Sequence, residues 1–245
     1  MDAILFGFIG AITGSFIGVI VDRWPNGKGI INGRSRCDKC KISIAWYDMV
    51  PLISWFVLHG KCRSCGASFS FRHAGYEWAG ALIWAIAAIQ FNGFLLIEFS
   101  ILTFLFALAC FDLRHLVLPD VLTISLVILS LARLFQLGYI FDSVIAACVL
   151  FGLVALLFFF SKGSAIGFGD AKLALGIGLL FGIPYAFYVS IVAVFLGAII
   201  GIILMITGLA TRKTQLPFGT FWAISAIIFL LWPIMLSRID LFLFK

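Results

Sequence analysis

Residues 143–160 read SVIAACVLFGLVALLFFF, without one charged side chain. A helix needs roughly 17–25 mainly apolar residues to cross a bilayer, and this run supplies them. The rest of the chain has the same character. Of its 245 residues 63% are hydrophobic and 11% charged, against about 25% charged in an ordinary soluble domain. A β-barrel would need short alternating segments, which the sequence lacks. The expected fold is an all-α polytopic membrane protein.

Eight spans are expected, near 3–21, 76–91, 94–111, 118–136, 143–160, 170–183, 185–209 and 219–237. The first, within MDAILFGFIGAITGSFIGVIV, has no basic leader before it and reads as a retained span. Gly182 and Pro184 break spans six and seven at GIPY. Three segments result: a first span at 1–21, a long polar loop at 22–75, and a seven-span bundle at 76–245.

The basic residues orient these spans. Arg23, Lys28, Arg34, Arg36, Lys39, Lys41, Lys61, Arg63 and Arg72 fall in the 22–75 loop. Arg114, Lys162, Lys172, Arg212 and Lys213 fall in other connections on that side, leaving Arg133, Arg238 and Lys245 opposite. Lys and Arg mark the cytoplasmic side. The loop is therefore expected inside and both termini outside. The net charge of +6 is explained by this asymmetry. The expected partner is a lipid bilayer, with no nucleic acid.

The 22–75 loop contains RCDKC and KCRSC. Cys37 and Cys40 form one CxxC hook, Cys62 and Cys65 another. Two such hooks suit a tetrahedral site of four thiolates, filled entirely by protein and hence structural, with Zn2+ the expected metal. A reducing cytoplasm disfavours disulfides. Gly66 suits the turn after the second hook. His59 and His73 are read as surface histidines, because the sulfur set is complete without them. Trp46, Tyr47 and Trp55 suit a partly wet platform at the membrane interface. Asp48 reads as a turn or cap residue. Cys110 and Cys148 lie in spans and read as small apolar residues.

Ionisable groups in or near spans raise a functional question. Asp112, in CFDLRH, ends span three. Asp170, in GFGDAKL, begins span six. The charge count puts both at the cytoplasmic face. As neighbours they could share one proton, one acting as acid and the other as base, which is what activating water against a peptide bond requires. The plainer reading makes Asp170 a helix N-cap and Asp112 a span-end residue. Helix direction favours Asp170 as the base and Asp112 as carrier of the shared proton. Gly167 and Gly169 are expected to admit unusual backbone angles and leave room for an extended substrate. Asp120 is expected to cap span four, Glu98 and Asp142 to lie at the opposite interface, and Lys172 to point to water or lipid phosphate. A proton-coupled transporter using the same aspartates as a relay is the competing reading. The single-face placement of the carboxylates speaks against it.

The motifs together resemble those of the type IV prepilin peptidases, membrane aspartic proteases of the glycine-x-glycine-Asp kind. GSFIGVIVDRWPNG resembles the family's opening motif, with Gly18 where Asn is usual. RCDKCKISIAWYDMVPLISW and GKCRSCGASFSFRH resemble its cysteine-rich loop. FDLRHLVLPD and GFGDAKLALGIGLLFG resemble its two aspartate motifs, and LPFGTFWA a late motif. HAGYEW follows Arg72 where Tyr-Pro is common, with Glu77 at the family's acidic position. The resemblance implies catalytic aspartates at Asp112 and Asp170 and a metal loop at Cys37, Cys40, Cys62 and Cys65. It implies cleavage of prepilins or pseudopilins after a Gly, at the cytoplasmic face of the bacterial inner membrane. It also implies methylation of the new N-terminus with S-adenosylmethionine. No glycine-rich fingerprint locates the methyl donor.

Overall fold

The structure is a computed structural model. It describes residues 3–24, 35–37, 39–90, 96–137, 140–163, 166–211 and 214–232. Lys28, Arg34, Arg212, Lys213, Arg238 and Lys245 lie outside these residues, as do both termini and positions 233–237 of the expected last span.

Among the described residues nine α-helices form, with no strand beyond two isolated β-bridges. They are α1 (Ala3–Arg23), α2 (Ile53–Leu58), α3 (Phe71–Gln90), α4 (Leu96–His115), α5 (Asp120–Leu137), α6 (Ile140–Ser161), α7 (Phe168–Phe181), α8 (Tyr185–Ile206) and α9 (Phe218–Leu231). All but the short α2 lie where a span was expected. Four of them, α1, α4, α6 and α8, are long and apolar enough to cross a membrane. The others do not show a crossing by that measure. The 14 residues of α7 rise only about 21 Å at 1.5 Å each, short of the roughly 30 Å hydrocarbon core. Ala171, Leu173, Ala174 and Ile177 make α7 a core helix of its unit.

The chain forms two compact units, Met1–Phe94 and Leu95–Lys245. Helix α3 thus groups with α1. It begins at Phe71, five residues before the apolar pattern, because its first turn carries Arg72 and His73.

In the first unit α1 packs on α3 through glycine. Lipid is as apolar as leucine, so helices in a bilayer gain little from hydrophobic burial and associate where backbones approach closely. Gly10 faces the carbonyl of Gly80, and Gly14 the carbonyl of Tyr76. Gly18 lies under the Tyr76 ring, where an added Cβ would come within 2.8 Å of Cδ2. The bulk of Tyr76 therefore goes with the small residue at 18.

In the second unit α4 is buried along most of its length, including Leu102, Leu105, Leu108 and Phe111. It packs on α5 and α9, and α7 packs on α5 and α6. Gly178 of α7 sits against the backbone of Ala146 and Ala147 in α6. Helices α8 and α9 are joined by Trp222 Nε1 donating to Ser190 Oγ at 3.0 Å and Ser225 Oγ donating to the Val189 carbonyl at 2.7 Å.

Glu98, expected near the opposite interface, is packed inside its unit. It is buried, and Arg133 Nε donates to its Oε1 at 2.6 Å while Arg133 Nη1 donates to the Leu180 carbonyl at 3.0 Å. A charge in this setting needs a partner, and one guanidinium reaches two helices. The clamp ties the start of α4 and the ends of α5 and α7 together.

Gly14→Ala is expected to push α1 off α3 and destabilise the chain by about 1–3 kcal/mol. Thermal unfolding in detergent checks this, and an unchanged melting temperature would contradict the close-packing account.

Candidate active site and metal centre

The four loop cysteines converge. Their sulfurs all lie within 4.8 Å of one another, Cys37 to Cys65 at 3.7 Å and Cys40 to Cys62 at 4.0 Å. A tetrahedron with Zn–S of about 2.3 Å has S···S edges of roughly 3.8 Å. A disulfide would need about 2.05 Å, and all four thiols are free.

Both hooks are built alike. Arg36 bridges to Ser43 and Lys61 to Ser68, each closing a tight antiparallel turn. Cys37 N–H donates to the Ile42 carbonyl, and Cys62 N–H to that of Ala67. The residue after each second cysteine is left-handed: Lys41 at φ 57° and Gly66 at φ 68°. Gly66 signals this turn in the sequence and Lys41 does not, because glycine alone adopts that conformation freely. Amide hydrogen bonds from Cys40 and then Lys39 pull the Cys37 thiol down to about 6, which suits a metal-binding thiolate.

Asp48 does more than turn the chain. Arg63, inside the second hook, grips it with Nη2 at 2.6 Å and Nε at 3.0 Å. The bonded guanidinium holds the Asp48 carboxyl below its ordinary value. His73 Nε2 lies 3.3 Å from Asp22 Oδ2, outside the sulfur cluster. Trp46 and Tyr47 are exposed.

In the second unit Asp112 and Asp170 come to the same end. Asp112 lies near the C-terminus of α4 and is buried. Its Oδ2 accepts the Thr220 N–H at 2.7 Å and the Thr220 hydroxyl at 3.1 Å. The hydroxyl also reaches the Ala109 carbonyl at 3.1 Å. Asp112 therefore fixes the start of α9 and is more than a span-end residue.

Asp170 occupies the third position of α7, after the N-cap Gly167. Its Oδ2 accepts the Gly167 N–H at 3.1 Å, so one oxygen does the capping. The other, Oδ1, is buried with no hydrogen-bond partner among the described residues. Leu118 packs between the supports of the two aspartates: a Cβ added at Gly169 would come within 3.0 Å of Leu118 Cβ, and one at Gly219 within 2.9 Å of its Cδ1 and 3.1 Å of Asp112 Oδ2.

This corrects the reading of the glycines. Gly167 has φ −78° and ψ 153°, angles open to any residue. Gly169 is small because Leu118 occupies the space where its side chain would be.

Lys172 is also placed differently from expectation. Its Nζ donates to Asp120 Oδ1 at 2.6 Å, joining the starts of α7 and α5, and lies 5.4 Å from the Phe168 ring centroid. Spacing along one helix could rule out Lys172 facing Asp170 but could not find a partner on another helix. Thr220 was likewise missed as a functional residue. Its only signal was LPFGTFWA, which carried no role.

Comparisons with known proteins agree with this architecture. The description "Bacterial Peptidase A24 N-terminal domain" matches residues 8–91, and "Type IV leader peptidase family" matches 99–204. The chain is similar to proteins named "Prepilin leader peptidase/N-methyltransferase". One from Bacillus subtilis is 31% identical, with 93% of each chain covered. One from Pseudomonas aeruginosa is 31% identical over 94% of this chain and 90% of its own. One from Myxococcus xanthus is 29% identical over 87% of this chain, which spans 66% of that relative's length. No solved structure matches. The chain belongs to the type IV leader peptidase family.

Purified protein is expected to hold one zinc per chain, and Cys37→Ser with Cys40→Ser is expected to lose it. Elemental analysis decides this. Full metal content in that double variant would contradict the four-sulfur site.

Proposed function

We propose that this chain is a membrane aspartic endopeptidase that removes the basic leader from type IV prepilins or pseudopilins, cutting after a glycine. What supports the reading is that Gly169, next to Asp170, and Gly219, against Asp112 Oδ2, both lie against Leu118, which brings the two aspartates to one end of the second unit in a family of leader peptidases. The relatives' names support prepilins as the substrate class.

The proposed roles follow from helix direction, with Asp170 at a helix N-terminus and Asp112 near a C-terminus. One carboxylate takes a proton from water as the water attacks the scissile carbonyl. The other gives its proton to the carbonyl oxygen; as the C–N bond breaks, the leaving amine takes the proton drawn from water and the second carboxylate regains its own from the tetrahedral diol. Thr220 occupies Oδ2 of Asp112, leaving Oδ1 to carry the shared proton. Asp170 is the base, and its unpartnered Oδ1 is free to accept a proton from water. Thr220 and the Lys172–Asp120 pair hold the helix ends that present the two groups. Cutting takes place at the cytoplasmic face of the inner membrane, in an eight-span arrangement with both termini outside. The segments at 1–21, 22–75 and 76–245 serve as first span, cytoplasmic metal loop and catalytic bundle.

Methylation of the new N-terminus is the second proposed activity, supported by the relatives' names. It implies S-adenosylmethionine as donor. Zn2+ at Cys37, Cys40, Cys62 and Cys65 has a structural role, since four thiolates leave no open coordination position.

Asp112→Ala and Asp170→Ala are each expected to abolish cleavage of a co-expressed prepilin at unchanged protein level. Gel mobility of the pilin reads this directly, and normal processing by either variant would overturn the assignment. Thr220→Val is expected to slow cleavage about tenfold by removing one hydrogen bond to a carboxylate, while Thr220→Ser keeps the rate. Equal rates for Val and wild type would remove Thr220 from the site.

A further inference from the structure

The connection between α4 and α5 carries backbone groups that the fold does not use. Residues 116–119 form neither helix nor strand. The ring of Pro119 keeps Leu118, the residue before it, out of the helical region and extended. On one side the Asp112 carbonyl accepts the Leu116 N–H at 2.8 Å. On the other the Pro119 carbonyl accepts the N–H groups of Leu122 and Thr123. Between these bonds, among the described residues, the N–H groups of Val117 and Leu118 have no partner. Nor do the carbonyls of Leu116, Val117 and Leu118.

This short edge is fixed in place beside both carboxyl groups. Leu118 is buried against Gly169, which precedes Asp170, and against Gly219, which lies against Asp112 Oδ2. Val117 next to it is exposed. One side chain in and the next out is the alternation of a strand. Leu116 has φ 53°, a left-handed angle at the end of α4 where glycine is the usual residue. Strain of this kind persists only where surrounding contacts over-determine it, and it gathers at ligand clamps.

We propose that residues 116–118 are the docking edge for the substrate, whose stretch around the scissile bond adds to them as a β-strand. The inference rests on the peptidase reading above and gives its substrate a seat. A helix pairs its own internal carbonyls, so a peptide must be extended where water attacks it. An extended peptide brings a row of unpaired N–H and C=O groups, and the edge at 116–118 offers the matching row. Main-chain pairing holds the substrate by its conformation, and the exposed Leu116 and Val117 favour apolar side chains opposite them.

The test uses the purified full chain and synthetic prepilin peptides that span the cut, each with one backbone N-methyl group at successive positions. Along a strand only alternate N–H groups face a given neighbour. Methylation at alternate positions is expected to lower kcat/KM at least about tenfold, and at intervening positions to change it less than about twofold. Val117→Cys, made with Cys110→Ala, Cys148→Ala and Asp170→Asn so that the peptide stays whole, then locates the edge. On oxidation it is expected to link to peptides with a cysteine at every second position, since opposed side chains share a face. The methyl series needs no variant, so it decides even where the cysteine chain does not fold. Cleavage of the parent peptide with equal rates for all methylated ones overturns the strand and leaves the peptidase reading standing. An alternating series without linkage in the folded Val117→Cys chain also overturns the assignment of 116–118. No cleavage of the parent peptide sinks the peptidase reading and the docking edge together.

Discussion

The Thr220–Asp112 contact is the constraint on which the second unit depends. A carboxylate among packed helices needs hydrogen-bond donors, because its charged form loses water on burial. Thr220 supplies its amide and its hydroxyl from the first turn of α9, both to Oδ2. Both of these bonds go to one oxygen of the carboxyl group. The contact also sets where α9 begins, since Gly219 can carry no side chain against Oδ2 and Leu118. Leu118 in turn packs against Gly169, one residue before Asp170. The positions of two carboxylates 58 residues apart in sequence thus follow from one hydrogen-bonded threonine and one leucine between two glycines.

The far end of that unit is held by the opposite device. Glu98, Arg133 and the Leu180 carbonyl form a clamp there. Lys172 and Asp120 make a second tie at the carboxylate end. The helices that present Asp112 and Asp170 are therefore pinned at both ends. Positioned carboxyl groups gain most from such support, because an acid–base pair works only within hydrogen-bond reach.

What was legible in the sequence followed physical periodicity and spacing. Long uncharged runs gave the helices, since few polar residues interrupt them. CxxC spacing gave the sulfur cluster, because two ligands in one turn need little else from the fold. Asp112 and Asp170 stood out as acids beside greasy spans. The partners did not stand out. In a lipid-facing helix the inward and outward faces are both apolar, so hydrophobic pattern does not say which residues meet. Glu98 with Arg133, Lys172 with Asp120 and Thr220 with Asp112 all cross between helices distant in sequence. The glycines misled for a related reason. GxG suggested unusual backbone angles and room for a substrate, whereas Gly169 is small to admit Leu118. A glycine read alone does not reveal whether it serves angle or space.

The proposed chemistry requires the Asp112 and Asp170 carboxyl groups to face each other across a short gap. Paired substitutions Asp112→Cys and Asp170→Cys, made with Cys110→Ala and Cys148→Ala, test it in native membranes with thiol cross-linkers of stepped length. The account predicts rapid intramolecular linkage by the shortest reagents. Linkage only by the longest reagents, or none, would contradict it.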